Sequence, residues 1–394
     1  PTDFKINQLS PDLPDPQAID SNCDGIDGNR YKAVFVSTAG TAPATATDID
    51  DPTADLKGAL IVAAGRGYHV YVSEGDYNVS GLDLVNGVSL YGGFASGFLD
   101  RDITGAVYRT QLIQDEANPV LNVKNIKTPM TIAGFVFVND SESFKGVLVN
   151  VADSVVMFEN NDFAGVDTDT ETLLLASKTN LKLVGNRFNG RAKYNSTGVA
   201  LTDSDTILTN NLFIMGGAEH TRGIEADGGS LVVTNNTIDG GNHVTGSAYG
   251  AVFDNTVARF VNNIVITQSD HNQASLYCAG HENDTVEITN NLFMRYSSNG
   301  YTFAALIACN GSQTTTSAEL DLIDTVSADD NLFSSSLAER DTILDTDNLY
   351  QLVAGSVAID TARDADDEND GAVTFDIFGI NRTPDAYDMG AYER

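Results

Sequence analysis

The chain has 394 residues and carries 55 acidic against 22 basic side chains, a net charge of −33. Such a surface repels phosphate backbones, which argues against nucleic acid as a partner. No apolar run is long enough to cross a bilayer, so no membrane span is predicted. Hydrophobic residues make up 42% of the chain, which is enough for a large core.

The N-terminal arm, residues 1–30, is predicted to contain an acidic calcium-type loop. Alternating oxygen-bearing side chains followed by glycine are typical of calcium loops. The expected ligands are Asp20, Asn22, Asp24, the carbonyl of Ile26, and Asp27. Tyr31 stands where a full EF-hand has glutamate, so the loop resembles thrombospondin-repeat or dockerin loops instead. The alternative is an acidic turn in a linker.

We expect the arm to pack along the body of the protein. That body is either its own chain or another copy, and the second case would give dimers or filaments.

Residues 31–394 are predicted to form one domain, with a cap and the first coils at 31–110. A helix is expected with Asp51 as N-cap, Pro52 in its first turn and Gly65 at its end. Its apolar side consists of residues spaced three or four apart: Leu56, Ala59, Leu60 and Ala63. We expect this helix to cover the N-terminal opening. Strands are predicted at 32–37, 69–73 and 88–94.

A motif of the form Asn-Asn-x-Phe recurs through residues 111–340, where regular coils are predicted. Its second asparagine falls at Asn161, Asn186, Asn211, Asn236, Asn263, Asn291 and Asn331. A fixed period of about 25 residues indicates a solenoid. Short alternating segments before each asparagine, such as 181–184 and 286–289, indicate strands. We therefore predict an all-β fold, a right-handed parallel β-helix with about 25 residues per coil.

Stacked coils lie about 4.8 Å apart, so the recurring asparagines should form a ladder. Each would sit at a turn with left-handed backbone angles and bond to its equivalent one coil away. The longer step before Asn331 predicts an insertion near residues 310–318.

Cys278 and Cys309 occupy equivalent positions in successive coils. This position brings them within range of a disulfide, and a pair of buried free thiols is the alternative. Cys23 then remains unpaired or forms an intermolecular link.

One basic cluster is a candidate for catalysis: Lys193, Tyr194, His220, Arg222 and Glu225. In a polysaccharide lyase, His220 or Lys193 would act as the base and Arg222 would hold the acid group of the substrate. The register of the repeat places Asn195 over His220. Scattered surface charge is the reading that we favour.

The C-terminal segment, residues 341–394, is predicted to cap the other end. Asp376, Arg382 and Asp388 would form a charged, hydrogen-bonded closure. Its Ala-Ile-Asp at 358–360 and Asp-Met-Gly-Ala-Tyr-Glu at 388–393 resemble the closing segment of bacterial cell-surface β-helix proteins called choice-of-anchor Q proteins. Met389 stands where isoleucine is usual. Segments 20–28 and 88–94 resemble secreted proteins of myxobacteria and related groups.

The resemblance implies a β-helix fold and an extracellular or cell-surface location, but no reaction. We expect a non-catalytic adhesin or structural protein that binds calcium and has a glycan or other cell-surface ligand. The alternative is a calcium-assisted polysaccharide lyase or glycoside hydrolase.

Overall fold

The structure, a computed structural model, describes residues 10–45, 47–79, 81–114, 118–140, 146–243, 246–269, 274–279, 286–296, 307–314, 316–323, 326–334, 341–345, 350–362, 375–382 and 387–393. The chain winds into a parallel β-solenoid of about eight turns, which confirms the predicted parallel β-helix.

Each complete coil contributes a strand to each of three faces, and equivalent strands of successive coils pair in parallel. The first face contains β4 (Leu82–Asp83), β7 (Leu121–Lys124), β10 (Gly146–Ala152), β13 (Thr170–Ser177), the first parts of β16 (Asn195–Thr209) and β18 (His220–Thr234), β20 (Ser247–Asp254), β23 (Leu276–Ala279) and β26 (Ile307–Cys309). The second face contains β1 (Ala33–Val36), β2 (His69–Ser73), β5 (Leu90–Phe94), β8 (Met130–Ala133), β11 (Val155–Glu159), β14 (Asn180–Val184), the second parts of β16 and β18, β21 (Val257–Val261), β24 (Val286–Thr289) and β28 (Val326–Asp329).

The third face forms a separate sheet. It contains β3 (Gly75–Asn78), β6 (Thr110–Gln114), β9 (Val136–Asn139), β12 (Asp162–Ala164), β15 (Arg187–Gly190), β17 (Leu212–Met215), β19 (Thr237–His243), β22 (Ile264–Ser269), β25 (Leu292–Tyr296) and β29 (Leu332–Ser334). The remaining elements are a 3-10 turn (Arg30–Lys32), the helices α1 (Leu56–Arg66) and α2 (Ser317–Leu320), and the short strands β27 (Ser312–Thr314), β30 (Leu344–Asp345) and β31 (Gln351–Leu352).

The main core lies inside the three faces and follows the alternation of each strand. Leu181 and Leu183 of β14 are fully buried, while the residue between them is exposed. On the third face, Phe163, Phe188 and Phe213 pair in register. Their ring centroids lie 4.5 and 4.6 Å apart, so the aromatic rings form one continuous stack.

The recurring asparagines form a single ladder at the corner between the second and third faces. The backbone N–H and side-chain amide of each donate to the side-chain oxygen of the next at 2.8–3.1 Å, through Asn161, Asn186, Asn211, Asn236, Asn263, Asn291 and Asn331. The left-handed backbone belongs instead to the preceding residue, for example Gly185, Asn210 and Asn235, with φ of 64°, 56° and 55°. The prediction assigned the left-handed turn and the ladder hydrogen bonds to one asparagine. In the structure, the first belongs to the preceding residue and the second to the ladder asparagine.

Helix α1 packs its predicted apolar side against the main core, with Leu56, Ala59, Leu60 and Ala63 buried. Its ends differ from the prediction. Asp55, not Asp51, is the N-cap and accepts a hydrogen bond from Gly58 N at 2.9 Å. The helix begins later because Thr53 is still extended, exchanging backbone hydrogen bonds with Phe35 and Ser37. Gly67 ends the helix in a left-handed conformation.

The insertion before Asn331 begins where the sequence predicts. β26 turns back into the antiparallel strand β27, and α2 follows before β28 resumes the coil. Leu320 of α2 is fully buried in the main core. Cys278 and Cys309 pair in register and are joined by a disulfide, whereas Cys23 is an exposed free thiol.

The described residues of the predicted C-terminal cap pack against the side of the coils. They lie along the third face, where they form a C-terminal core with outward side chains of the coils. The coils contribute Leu212, Ile264, Ile266, Leu292 and Met294, and the segment contributes Ile343, Leu344, Tyr350, Leu352, Ala358, Ile377, Met389, Ala391 and Tyr392. Strands β17, β22 and β25 carry apolar residues on both sides, so their outer side needs a cover.

The left-handed asparagines bind this segment. Asn235 Nδ2 donates to the carbonyl of Asp388 at 3.0 Å, and Asn290 Nδ2 donates to that of Thr361 at 2.8 Å. Arg382 Nη2 donates to Asn210 Oδ1 at 2.8 Å. The corner between the second and third faces therefore has two roles. Its inward asparagines form the ladder, and the residues that precede them bind the C-terminal segment on the outside.

The three residues of the predicted closure lie on the side of the solenoid, and the ion-pair partner of Arg382 is Glu393. Arg382 Nη1 donates to the Asp388 carbonyl at 3.0 Å and to Glu393 Oε2 at 3.2 Å. The carboxylates of Asp376 and Asp388 accept backbone N–H groups, including those of Ile380 and Asp360. Burial raises the pKa of Asp376, and the backbone hydrogen bonds that it accepts, followed by the charge of Arg382, partly offset that increase.

The described part of the N-terminal arm packs on the second face of its own chain. Ile26 joins Phe35, Tyr71, Tyr91 and Phe94 in an N-terminal core outside the first coils. These aromatic side chains come from β1, β2 and β5, whose inward residues belong to the main core.

Candidate functional site

The predicted basic cluster is found on the first face and the turn that precedes it. Lys193 and Tyr194 lie just before β16, and Asn195 pairs with His220 as the register predicts. Arg222, two residues along β18, is half-exposed. The structure thus brings the cluster together across neighbouring coils.

The charged side chains of this cluster pair locally on an open surface. Lys193 Nζ lies 3.5 Å from Asp167 Oδ1, and both side chains are more than half exposed. Arg222 Nε lies 3.7 Å from Glu225 Oε1. His220 Nδ1 accepts a hydrogen bond from a backbone N–H at 3.2 Å, which leaves Nε2 for any proton transfer. Both ion pairs therefore lie at the surface of the described part of the chain.

A buried carboxylate nearby was not predicted. Glu171 on β13 is 1% exposed and accepts hydrogen bonds from Ser196 Oγ at 2.8 Å and from the backbone of Ala192 at 2.9 Å, Val166 at 3.2 Å and Arg191. Burial raises its pKa, and these bonds oppose the increase. Glu171 therefore stabilises the turns between the third and first faces through these hydrogen bonds. Because it is buried, a substrate cannot reach it.

Part of the predicted calcium loop is organised around its own backbone. Asp24 N donates to Asn22 Oδ1 at 2.8 Å and to Asp20 Oδ1 at 3.1 Å. Gly25 N donates to Asp20 Oδ2 at 2.9 Å, and Arg30 N to Asp24 Oδ2 at 2.8 Å. Asp24 Oδ1 is buried and has no hydrogen-bond partner within the described part of the chain. The side-chain oxygens of Asp20, Asn22 and Asp24 thus lie together in one loop.

The other two predicted ligands serve the docking of the arm. Asp27 Oδ2 lies 3.0 Å from Arg101 Nη1 in an ion pair whose side chains are 3% and 1% exposed. Burial raises the pKa of Asp27 to about 6, although Arg101 opposes the increase. Ile26 packs in the N-terminal core. Asp27 is thus used in an ion pair, whereas the side chains of Asp20, Asn22 and Asp24 and the carbonyl of Ile26 are the predicted donors outside that pair.

Two further residues of this region were missed by the sequence analysis. Asp12 is 5% exposed and its Oδ2 accepts from the backbone N–H groups of Ser21 and Asn22 at 3.1 and 3.3 Å. Burial raises the pKa of Asp12 to about 7. Arg101 also donates to the carbonyl of Asp15 at 3.1 Å. The partners of Asp12 are backbone N–H groups, and the partners of Arg101 in the arm are distant in sequence. No sequence motif therefore identifies either residue.

A search of the described residues finds no cluster of three His, Cys, Asp or Glu side chains that could hold a metal ion. Over the same ranges, no helix has the length and apolar character needed to cross a bilayer. No protein-family model matches this chain, and no curated protein is significantly similar to it.

Proposed function

We propose that this chain is a non-catalytic β-helix protein of the extracellular space or cell surface, acting as an adhesin or structural element. The observation that carries the proposal is that charged side chains of the predicted catalytic cluster form ion pairs at the surface, Lys193 with Asp167 and Arg222 with Glu225. A glycan-cleaving enzyme needs a base, or two carboxylates, presented to a bound substrate. A solenoid of stacked coils instead provides a long, continuous surface for binding.

Two properties support an extracellular location. The disulfide between Cys278 and Cys309 is of a kind that persists in oxidising compartments. The net charge of −33 keeps such a protein solvated in the extracellular medium.

A panel of alginate, pectate, chondroitin and neutral glycans tests the absence of catalysis. Unsaturated uronates would be followed by ultraviolet absorbance and hydrolysis by new reducing ends. We expect no turnover. Turnover that Lys193→Ala or His220→Ala abolishes, but Lys182→Ala on the second face does not, would contradict the proposal and favour a lyase or hydrolase.

We also propose that the N-terminal arm binds calcium through Asp20, Asn22 and Asp24. The alternating oxygen donors and the unpartnered Asp24 Oδ1 support this. Calorimetric titration of the whole protein with calcium should release or absorb heat, and Asp24→Asn should abolish the signal. Asp50→Asn, at a side chain that is 88% exposed, is the control. A flat titration of the unaltered protein would refute calcium binding.

Assembly through the arm remains a third proposal. Leu13 and Ile19 of the arm are 53% and 42% exposed although the arm is docked on its own chain. Contact between such residues of two copies would bury apolar surface. Deletion of residues 1–19 should reduce the mass measured by light scattering, and an unchanged mass would reject an intersubunit role.

A further inference from the structure

Five side chains of the first face form a continuous surface across three coils, and we call it the tyrosine strip: Arg222, Glu225, Tyr249, Val252 and Tyr277. Arg222 pairs in register with Tyr249, and Glu225 pairs with Val252. Val252 in turn pairs with Tyr277. Because paired strands lie about 4.8 Å apart, these side chains are direct neighbours.

The aromatic members of the strip are accessible. Tyr277 is 39% exposed, and its ring centroid lies 6.1 Å from that of Tyr249 in an edge-to-face arrangement. The side chains of Arg222 and Glu225 are 34% and 40% exposed. By contrast, the outward tyrosines of β2 and β5 on the second face are 0% and 2% exposed, because they lie in the N-terminal core.

The composition of the strip suits a flat ligand with apolar and polar parts. A tyrosine ring has an apolar face and a hydroxyl that forms hydrogen bonds. Arg222 supplies donors and Glu225 supplies acceptors beside the rings. A pyranose sugar has the complementary form, with C–H groups on a ring face and hydroxyls around its rim. A protein partner would need a wider apolar centre, within an interface of about 800 Å² per side.

Charge restricts the type of sugar. Arg222 is paired with Glu225, so its positive charge is already compensated. Asp227 and Asp254, which are exposed and pair in register, lie in the next outward row. Together with the net charge of −33, they repel uronates and sulfated sugars.

We propose that the tyrosine strip binds an uncharged pyranose glycan, a polymer of hexose or N-acetylhexosamine. The inference rests on the proposed non-catalytic function, because Arg222 and Glu225 then serve binding instead of turnover. Stacking on Tyr249 and Tyr277 carries the affinity, and the ion pair orients the hydroxyls.

Calorimetry of the full chain with cellohexaose and with the N-acetylglucosamine hexamer tests the proposal. At least one hexamer should bind, with an affinity that high salt leaves unchanged, since no ion pair with the ligand forms. Tyr277→Ala or Tyr249→Ala should weaken binding by about tenfold, because each removes a stacking surface. Tyr31→Ala, at a side chain 75% exposed on another part of the chain, should have no effect. Melting temperatures would verify that the variants fold.

Several results would overturn the inference. The first is that neither hexamer binds, and the second is that the strip variants bind as tightly as the unaltered protein. The third is that oligogalacturonate or the glucosamine hexamer binds more tightly than the uncharged hexamers and in a salt-sensitive way. Mass spectrometry of the titrated glycans separates the two proposals. Cleaved products would contradict the non-catalytic function, whereas intact glycans without binding would contradict the tyrosine strip alone.

Discussion

The amide of Asn211 connects three coils of the solenoid. Its Nδ2 donates to the carbonyl of Leu183 at 2.8 Å and to Asn236 Oδ1 at 2.9 Å. Its Oδ1 accepts from the N–H and Nδ2 of Asn186 at 2.9 and 3.0 Å. Both donors and both acceptor positions of this fully buried side chain are used. No residue without an amide side chain can satisfy these backbone groups at once.

Asn211→Leu should therefore lower the free energy of unfolding by about 3 kcal/mol or more, since each unsatisfied buried polar group costs about 1–3 kcal/mol. Chemical denaturation measures the loss. Asn195→Ala removes one long side-chain bond of 3.4 Å near the surface and should cost less than about 0.5 kcal/mol. Similar losses for the two variants would show that the ladder contributes little.

Two buried carboxyl groups make docking of the N-terminal arm depend on pH. Burial raises the pKa of Asp27 to about 6 and that of Asp12 to about 7, from 3.8. A carboxyl group with a higher pKa in the docked state stabilises that state at low pH. The contribution is complete below about pH 4 and is lost as the pH rises through 6 to 7.

We thus expect hydrogen exchange in residues 10–30 to show a more firmly docked arm at pH 5 than at pH 8, after correction for the intrinsic exchange rate. Asp12→Asn should flatten this dependence, while Asp50→Asn should preserve it. Firmer docking at pH 8 would reverse the sign and refute the assignment.

At the scale of elements, the two terminal segments cover faces that the coils leave apolar. Arg382 anchors the C-terminal segment, and its ion pair with Glu393 has side chains 0% and 4% exposed. Loss of one partner of a buried pair leaves the other charged and unpaired. We therefore expect loss of Arg382 to weaken docking of the segment while the coils remain folded.

Arg382→Ala should destabilise this docking by about 3–5 kcal/mol. We expect faster hydrogen exchange in the described residues of the C-terminal segment and binding of a hydrophobic dye to the uncovered third face, with the far-ultraviolet spectrum of the coils retained. Ile380→Ala, at a side chain 53% exposed, is the control. Unchanged exchange in Arg382→Ala would contradict the anchoring role.

The disulfide links two successive coils next to the insertion. Cys278 and Cys309 are 31 residues apart. Closing a loop of this length raises the free energy of the unfolded chain by about 3–4 kcal/mol. Thiol counting of the denatured, unreduced protein should find one reactive thiol, Cys23. Reduction should lower the melting temperature, and Cys23→Ser should not. A count of three thiols would exclude the disulfide.

For the whole molecule, stacking makes stability a property of neighbouring coils. β16 pairs with β13 and β14 on one side and with β18 on the other. Within the described residues, β28 pairs with β24 on one side. A coil with two neighbours gains two interfaces, whereas a terminal coil gains one.

Hydrogen exchange should accordingly be slowest in β14, β16 and β18 and faster in β28 and β29. The physical reason is that a terminal coil opens by breaking one interface, so its local opening costs less free energy. Mass spectrometry of peptides from both regions measures the difference. Uniform protection along the chain would indicate a single cooperative unit instead.

Some features of the fold and candidate site follow from local pattern alone. The period of the asparagines, the alternation in strands such as 181–184 and the apolar side of α1 all repeat at fixed intervals. Once coils stack, the same intervals place Cys278 beside Cys309 and Asn195 beside His220. The amino-acid sequence by itself thus determined the solenoid and its register, because regular stacking converts sequence distance into position.

The tertiary structure alone decided where the terminal segments lie and which charged residues they bury. A signal for the covered third face was present, since 212–215 and 264–266 are apolar at every position, as in strands buried on both sides. The covering segment cannot be read from that run, because its contacts join residues more than 100 positions apart. For the same reason Asp27, a predicted calcium ligand, became the partner of Arg101. Folding had to bring those two distant residues together before their charges could interact.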